Sequence, residues 1–168
     1  MYSQKIIQLV NDSSIGVSDI YIKDSLTLKH SIVECNFLFL SCAVNMLPKE
    51  KRDMFGDIMI DFKNHIDITI INEIKKNGYD NLDHFLYERF RFYTIDIENT
   101  FKNKSYIPYG TTNFIYSAPL KYYNLNELLD QSIGLARGEY FLGFPIIQQF
   151  MAIFSQRLNN MRTKIITF

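Results

Sequence analysis

Between Ile32 and Leu47 the chain reads IVECNFLFLSCAVNML, the most apolar run it contains, and its few polar residues recur at a helical spacing. Glu34, Ser41 and Asn45 fall seven and four apart, and Thr27 and Ser31 extend the same row backwards. At 3.6 residues per turn such a row is one narrow stripe, expected to face solvent, while Phe37 to Val44 cover the rest of the circumference. A helix of that kind must be sheathed by neighbours. The apolar run is about 16 residues, broken by Glu34, Asn36 and Asn45, whereas a membrane span needs roughly 20 nearly unbroken ones. It therefore reads as a core helix.

The flanking sequence supplies further helices. Ser18 or Asp19, or Asp24 and Ser25, can cap the first long helix, expected over about 20–47. Pro48 suits the first position of a second, over about 48–77, with Glu50 in its first turn and Phe55, Ile58, Met59, Phe62, Ile66 and Ile70 along one face. Lys75, Lys76, Asn77 and Gly78 form a good ending. A third helix, about 80–103, opens with Asp80 as cap and Asp83 three residues on, and shows Leu86, Phe90, Tyr93, Ile97 and Phe101. Shorter helices are expected over about 124–133, capped by Asn124 and Glu127, and over 145–166, opened by Pro145.

Two stretches resist this reading. In residues 2–10, Ile6, Ile7 and Val10 suit a small helical face or a short strand equally, Asn11 to Ser14 favour a loop, and Gly16 is a helix breaker. From 104 to 123 the breakers Pro108, Gly110 and Pro119 stop regular helix, and an ordered loop or small hairpin about Tyr109 to Asn113 is expected. The chain is thus expected to be all-α: one domain over 1–168, about five helices around a central buried one, with an irregular tyrosine-rich segment.

With 168 residues the chain is long enough to bury roughly 70% of the surface its unfolded form exposes. Lysine and arginine total 18 and aspartate and glutamate total 18, so no overall charge draws it to nucleic acid or an anionic membrane, although a local patch is compatible with that balance. Cys35 and Cys42 are seven apart on one helix, separated by about 10 Å along its axis, too far for a disulfide. Their thiols, and an amino-terminal MYSQKIIQLVNDSS without a long apolar region, point to a reducing, cytoplasmic setting.

The first chemical candidate is a metal site. Each histidine has a carboxylate four residues away, and a turn at 47–48 would bring His30 and Glu34 level with His65 and Asp61 on the next helix. Helical bundles build metal centres from such inward residues. His84 and Glu88 fall out of register with them. Against this quartet stands the solvent-facing row that includes Glu34, and ordinary surface pairing of helical neighbours.

The second candidate is Tyr106, Tyr109, Tyr116, Tyr122 and Tyr123, whose rings and hydroxyls suit an interface, a pocket wall or simple closure of one end of the bundle. Tyr87, Arg89, Arg91 and Tyr93 offer charge and stacking to a nucleic-acid strand, although Glu88 and the neutral total oppose it. Phosphate-loop, dinucleotide, nucleophile-elbow and H-E-x-x-H motifs are missing, which leaves open only catalytic groups assembled from distant residues. The leading expectation is a non-catalytic binding or regulatory protein that contacts a protein partner or its own copy through an aromatic-rich surface, without a cofactor. A small helical metalloprotein or metal-dependent enzyme comes second, and a small-molecule sensor with an apolar pocket third.

Overall fold

In a computed structural model the described residues, 1–18, 25–76, 78–102 and 144–168, are all-α. They form α1 (Tyr2–Ser18), α2 (Ser25–Met46), a 3₁₀ turn (Lys49–Met54), α3 (Phe55–His65), α4 (Ile68–Lys76), α5 (Leu82–Lys102) and α6 (Phe144–Thr167). No strand occurs among them, and none of their helices is long and apolar enough to cross a membrane. The short helix expected over 124–133 and the irregular stretch at 104–123 lie outside the described residues.

Every residue from Val33 to Ala43 is buried, around three turns of α2, because α1, α5 and α6 all pack on it. Ring contacts fix some of these neighbours: Phe37 meets Phe62 of α3 edge-on at 5.1 Å, and Phe39 lies 5.3 Å from Phe154 of α6. Pro48, extended at φ −54° and ψ 150°, ends the α2 line. The KEKRDM that follows has no apolar side chain until Met54 and buries no residue, so it makes only a 3₁₀ turn.

Two expectations need correction. The first is that α1 is helical throughout, across the serines and glycine read as loop and breaker. Ser13 Oγ donates to the Leu9 carbonyl at 2.7 Å and Ser14 Oγ to the Val10 carbonyl at 2.8 Å, while Gln8 donates to Asp12 at 2.8 Å on the exposed side. The hydroxyls that could have competed with the helix are spent on its own carbonyls. Ile6, Ile7, Val10 and Val17 are buried, and packing outweighs weak propensity.

The second concerns the helix expected over 48–77, which is divided into the 3₁₀ turn, α3 and α4. Ile58, Phe62, Ile66, Ile70 and Ile74 are all buried, at a constant spacing of four. On one straight helix each step of four turns the face by about 40°, so the ladder would wander by about 160° from end to end. A break resets it. Ile66 is extended at φ −72° and ψ 131°, and Asp67 caps α4 by accepting the Thr69 N–H at 2.8 Å and the Thr69 hydroxyl.

The end of α4 is as expected. Gly78, at φ +90°, sends its N–H to the Lys75 carbonyl at 3.1 Å, and Tyr79 reaches back to Ile74 at 3.3 Å, a Schellman ending. The start of α5 is shifted by one residue: Asn81, not Asp80, is its cap, with Oδ1 accepting the His84 N–H at 3.0 Å. Replacing Asn81 by alanine is therefore expected to lower stability by about 1 kcal/mol, and Asp80→Ala to leave it nearly unchanged. Urea unfolding of the two variants reads the difference, and equal effects would return the cap to Asp80.

Candidate functional site

The middle of the polar row of α2 does not face water. Glu34 and Ser41 are buried against α5, and Asn45, one turn further along, is exposed. Across from them, Leu86, Arg89, Phe90 and Tyr93 stand at positions 0, 3, 4 and 7 of α5, the spacing of one helix face, and all four are buried. The seven-residue step from Glu34 to Ser41 meets that face in register.

Glu34 accepts hydrogen bonds from Arg89 Nε at 3.1 Å and Nη2 at 2.6 Å, and from the Tyr93 hydroxyl. Arg89 Nε also lies 3.1 Å from the second carboxylate oxygen, which makes the pair a fork on both sides. The guanidinium carbon is 5.7 Å from the Phe92 ring centre and 5.6 Å from that of Tyr93, so its faces meet π-electrons. One turn on, Ser41 Oγ donates to the Phe37 carbonyl at 2.9 Å and lies 3.3 Å from the Phe90 carbonyl of α5. Asn45 closes the row with its amide 2.9 Å from the Ser41 carbonyl.

Burial, then the negative charge of Glu34, push the Tyr93 phenol well above its ordinary value, with Arg89 pulling the other way. The Cys35 thiol is raised well above its ordinary value by burial and, secondarily, by Glu34. Both cysteines are buried and outside any disulfide, and Cys35 is held as the unreactive thiol. Glu34, Arg89 and Tyr93 form a closed, charge-balanced junction suited to holding two helices together. The site orients and neutralises its own members.

The residues proposed for metal binding are not gathered at this junction. Glu34 turns its carboxylate to α5; His65 is exposed at the end of α3, its Nδ1 2.7 Å from the Asp61 backbone carbonyl and not its carboxylate. The His30 side chain lies outside the described residues. So do Tyr106, Tyr109, Tyr116, Tyr122 and Tyr123. Among the described residues no group of three His, Cys, Asp or Glu side chains is placed to hold a metal ion. The expected level placement of His30 and His65 assumed one straight second helix, and the 3₁₀ turn removes that ruler.

The four residues weighed as a nucleic-acid strip divide by helix face: Tyr87 and Arg91 are exposed, Arg89 and Tyr93 buried. The sequence does hold a signal for Arg89, which shares the 0, 3, 4, 7 pattern of its apolar neighbours. A charge in that pattern calls for an opposite charge on the facing helix, and Glu34 occupies the equivalent place in α2. Comparison with protein-family models, curated proteins and solved structures gives no match to this chain.

Removing either member of the pair leaves a buried charge without its counterpart, and Arg89→Met or Glu34→Leu is expected to cost roughly 3–5 kcal/mol, whereas the double replacement recovers most of that loss. Denaturant unfolding of the four-member cycle measures the coupling, and additive single effects would contradict it. Tyr93 gives a second handle. Below about pH 10, the ordinary value of a tyrosine, the phenol is neutral in both states and its contribution is fully present. As pH rises further the unfolded chain ionises first, so stability is lost towards the raised folded value. Tyr93→Phe should flatten the fall in unfolding free energy above about pH 10, and an unchanged alkaline slope would be the contrary result.

Proposed function

We propose that this is a non-catalytic helical binding or regulatory protein whose contact surface is apolar and partly aromatic, and that a second copy of the chain is its first partner. The observation that supports the reading is an exposed apolar edge on α3 to α5. Phe55 and Phe90 meet at 5.2 Å, and Lys63 pairs with Asp83 at 2.6 Å, so side chains of α3 and α5 join at two points in antiparallel order. Between those points lie Ile60 on α3 and Tyr87 on α5, and Ile68 opens α4 just beyond. All three are more than half exposed.

An isoleucine or tyrosine left in water forgoes roughly 1.5–3 kcal/mol that burial would return. Single exposed apolar residues are ordinary, but three from consecutive helices offer a start for a protein interface. Tyr87 adds a hydroxyl that can bond at the rim of such a contact. Glu34, Ser41, Arg89 and Tyr93, by contrast, are engaged in holding α5 to α2, and this division of labour favours a binding scaffold over a reaction centre.

Light scattering of the whole chain across a concentration series tests the reading. A mass rising towards twice that of the chain is expected, and Ile60→Ser with Tyr87→Ser should return it to the monomer value while leaving the unfolding midpoint in place. A chain that stays monomeric at every concentration, with or without the two changes, would overturn it.

A further inference from the structure

The beginning of α1, the 3₁₀ turn and the end of α6 are pinned into one corner by aromatic contacts. The Tyr2 ring meets Phe168 edge-on, 6.2 Å between centres at 89°. Lys5 Nζ sits 5.3 Å from the centre of the Phe168 ring, and Lys51 Nζ 5.0 Å from that of Tyr2. Phe168 N–H donates to the Lys164 carbonyl at 3.1 Å, which carries the last helical turn up to this contact.

Charge is unevenly shared at this corner. Segments 1–5, 49–54 and 161–168 carry Lys5, Lys49, Lys51, Arg52, Arg162 and Lys164 against only Glu50 and Asp53, in a chain whose totals balance at 18 and 18. Five of the six basic side chains are exposed and Lys51 is half-buried. Among them stand large apolar side chains: Met1 is 84% exposed, Ile166 70% and Phe168 40%.

We infer that this corner is a docking surface for an anionic lipid bilayer, touched from one side and not crossed. Basic side chains near an anionic leaflet each gain on the order of 1 kcal/mol, or about fivefold in affinity, and that gain is screened by salt. Met1 and Ile166 are largely exposed and Phe168 partly so, and a fluid headgroup layer accepts exposed apolar groups without a matching cavity. The lysines can lay their methylene stems along that layer and keep their ammonium groups at the phosphates. An acidic protein would have to supply a cavity for each projecting side chain, and a nucleic-acid duplex would answer the lysines but leave Ile166 and Met1 in water.

The test is co-sedimentation of the full chain with phosphatidylcholine vesicles and with vesicles that also contain phosphatidylserine, at low and high sodium chloride. Binding is expected only to the phosphatidylserine vesicles and should weaken as salt rises. Lys49→Glu with Arg52→Glu is expected to weaken it by at least about 25-fold from the per-charge gain, with an unchanged unfolding midpoint because both side chains are exposed. Ile166→Ser with Phe168→Ser should weaken it by at least about tenfold from lost apolar burial. If that second pair disturbs α6, Ile166→Ser alone, at a side chain without a core contact to lose, reads the apolar share. No sedimentation with phosphatidylserine vesicles at low salt would overturn the inference. So would binding that ignores both changes, or equal retention on polyglutamate or duplex DNA with the apolar changes silent. The Ile60 and Tyr87 variants should leave lipid binding intact, which separates this surface from the proposed self-contact.

Discussion

A carboxylate, a guanidinium and a phenol are enclosed together where α5 crosses α2, and the rest of the packing has to respect them. Taking either ion from water into the interior costs several kcal/mol, so neither belongs there alone. Together they offset one another's charge through a two-pronged contact, with Tyr93 as a third donor to Glu34. Apolar contacts tolerate a small sliding of one helix on another, but this arrangement does not, because a shift of one turn would strand both charges in hydrocarbon. The pair therefore selects the register of α5, and Ser41 near the Phe90 carbonyl sits in the same register one turn on. A buried ion pair is weak support for stability in itself, and its strength lies in what it forbids.

The helical class was legible because α2 is apolar around most of its circumference, and because the endings at Gly78 and the start near Pro145 carry their own local chemistry. Less legible were features that depend on a partner in space. Asp80 and Asn81 are adjacent residues of similar capping ability, and only the direction of the chain after Gly78 selects Asn81. The division between α3 and α4 was present as a ladder with a strict step of four, whose drift on a straight helix was the clue to a break. In α1 the serines lean on propensity in one direction and on burial in the other, and the buried isoleucines and valines prevail.

The candidate site was visible in pieces. Local spacing ties Glu34 to its neighbour at position 30, yet its partner comes from 55 residues further along the chain, a separation that such spacing does not encode. Closeness in sequence groups Arg89 and Tyr93 with Tyr87 and Arg91, whereas the helix assigns the two pairs to opposite environments. Helix face, rather than closeness in sequence, is what places Glu34 and Arg89 opposite each other. The tyrosines at 106–123 belong to the undescribed part of the chain, so they bear on function only through their composition.

Ser13 and Ser14 set something besides the hydrogen-bond balance of α1. With their hydroxyls folded back onto the helix, each presents little more bulk than an alanine to its surroundings, and both are buried. Small side chains allow two helix backbones to approach closely, and α1 makes its most extensive helix contact with α2. Girth, more than polarity, is then what this part of α1 must keep. A branched or aromatic substituent at either position would need room that the packed surroundings of α1 do not leave.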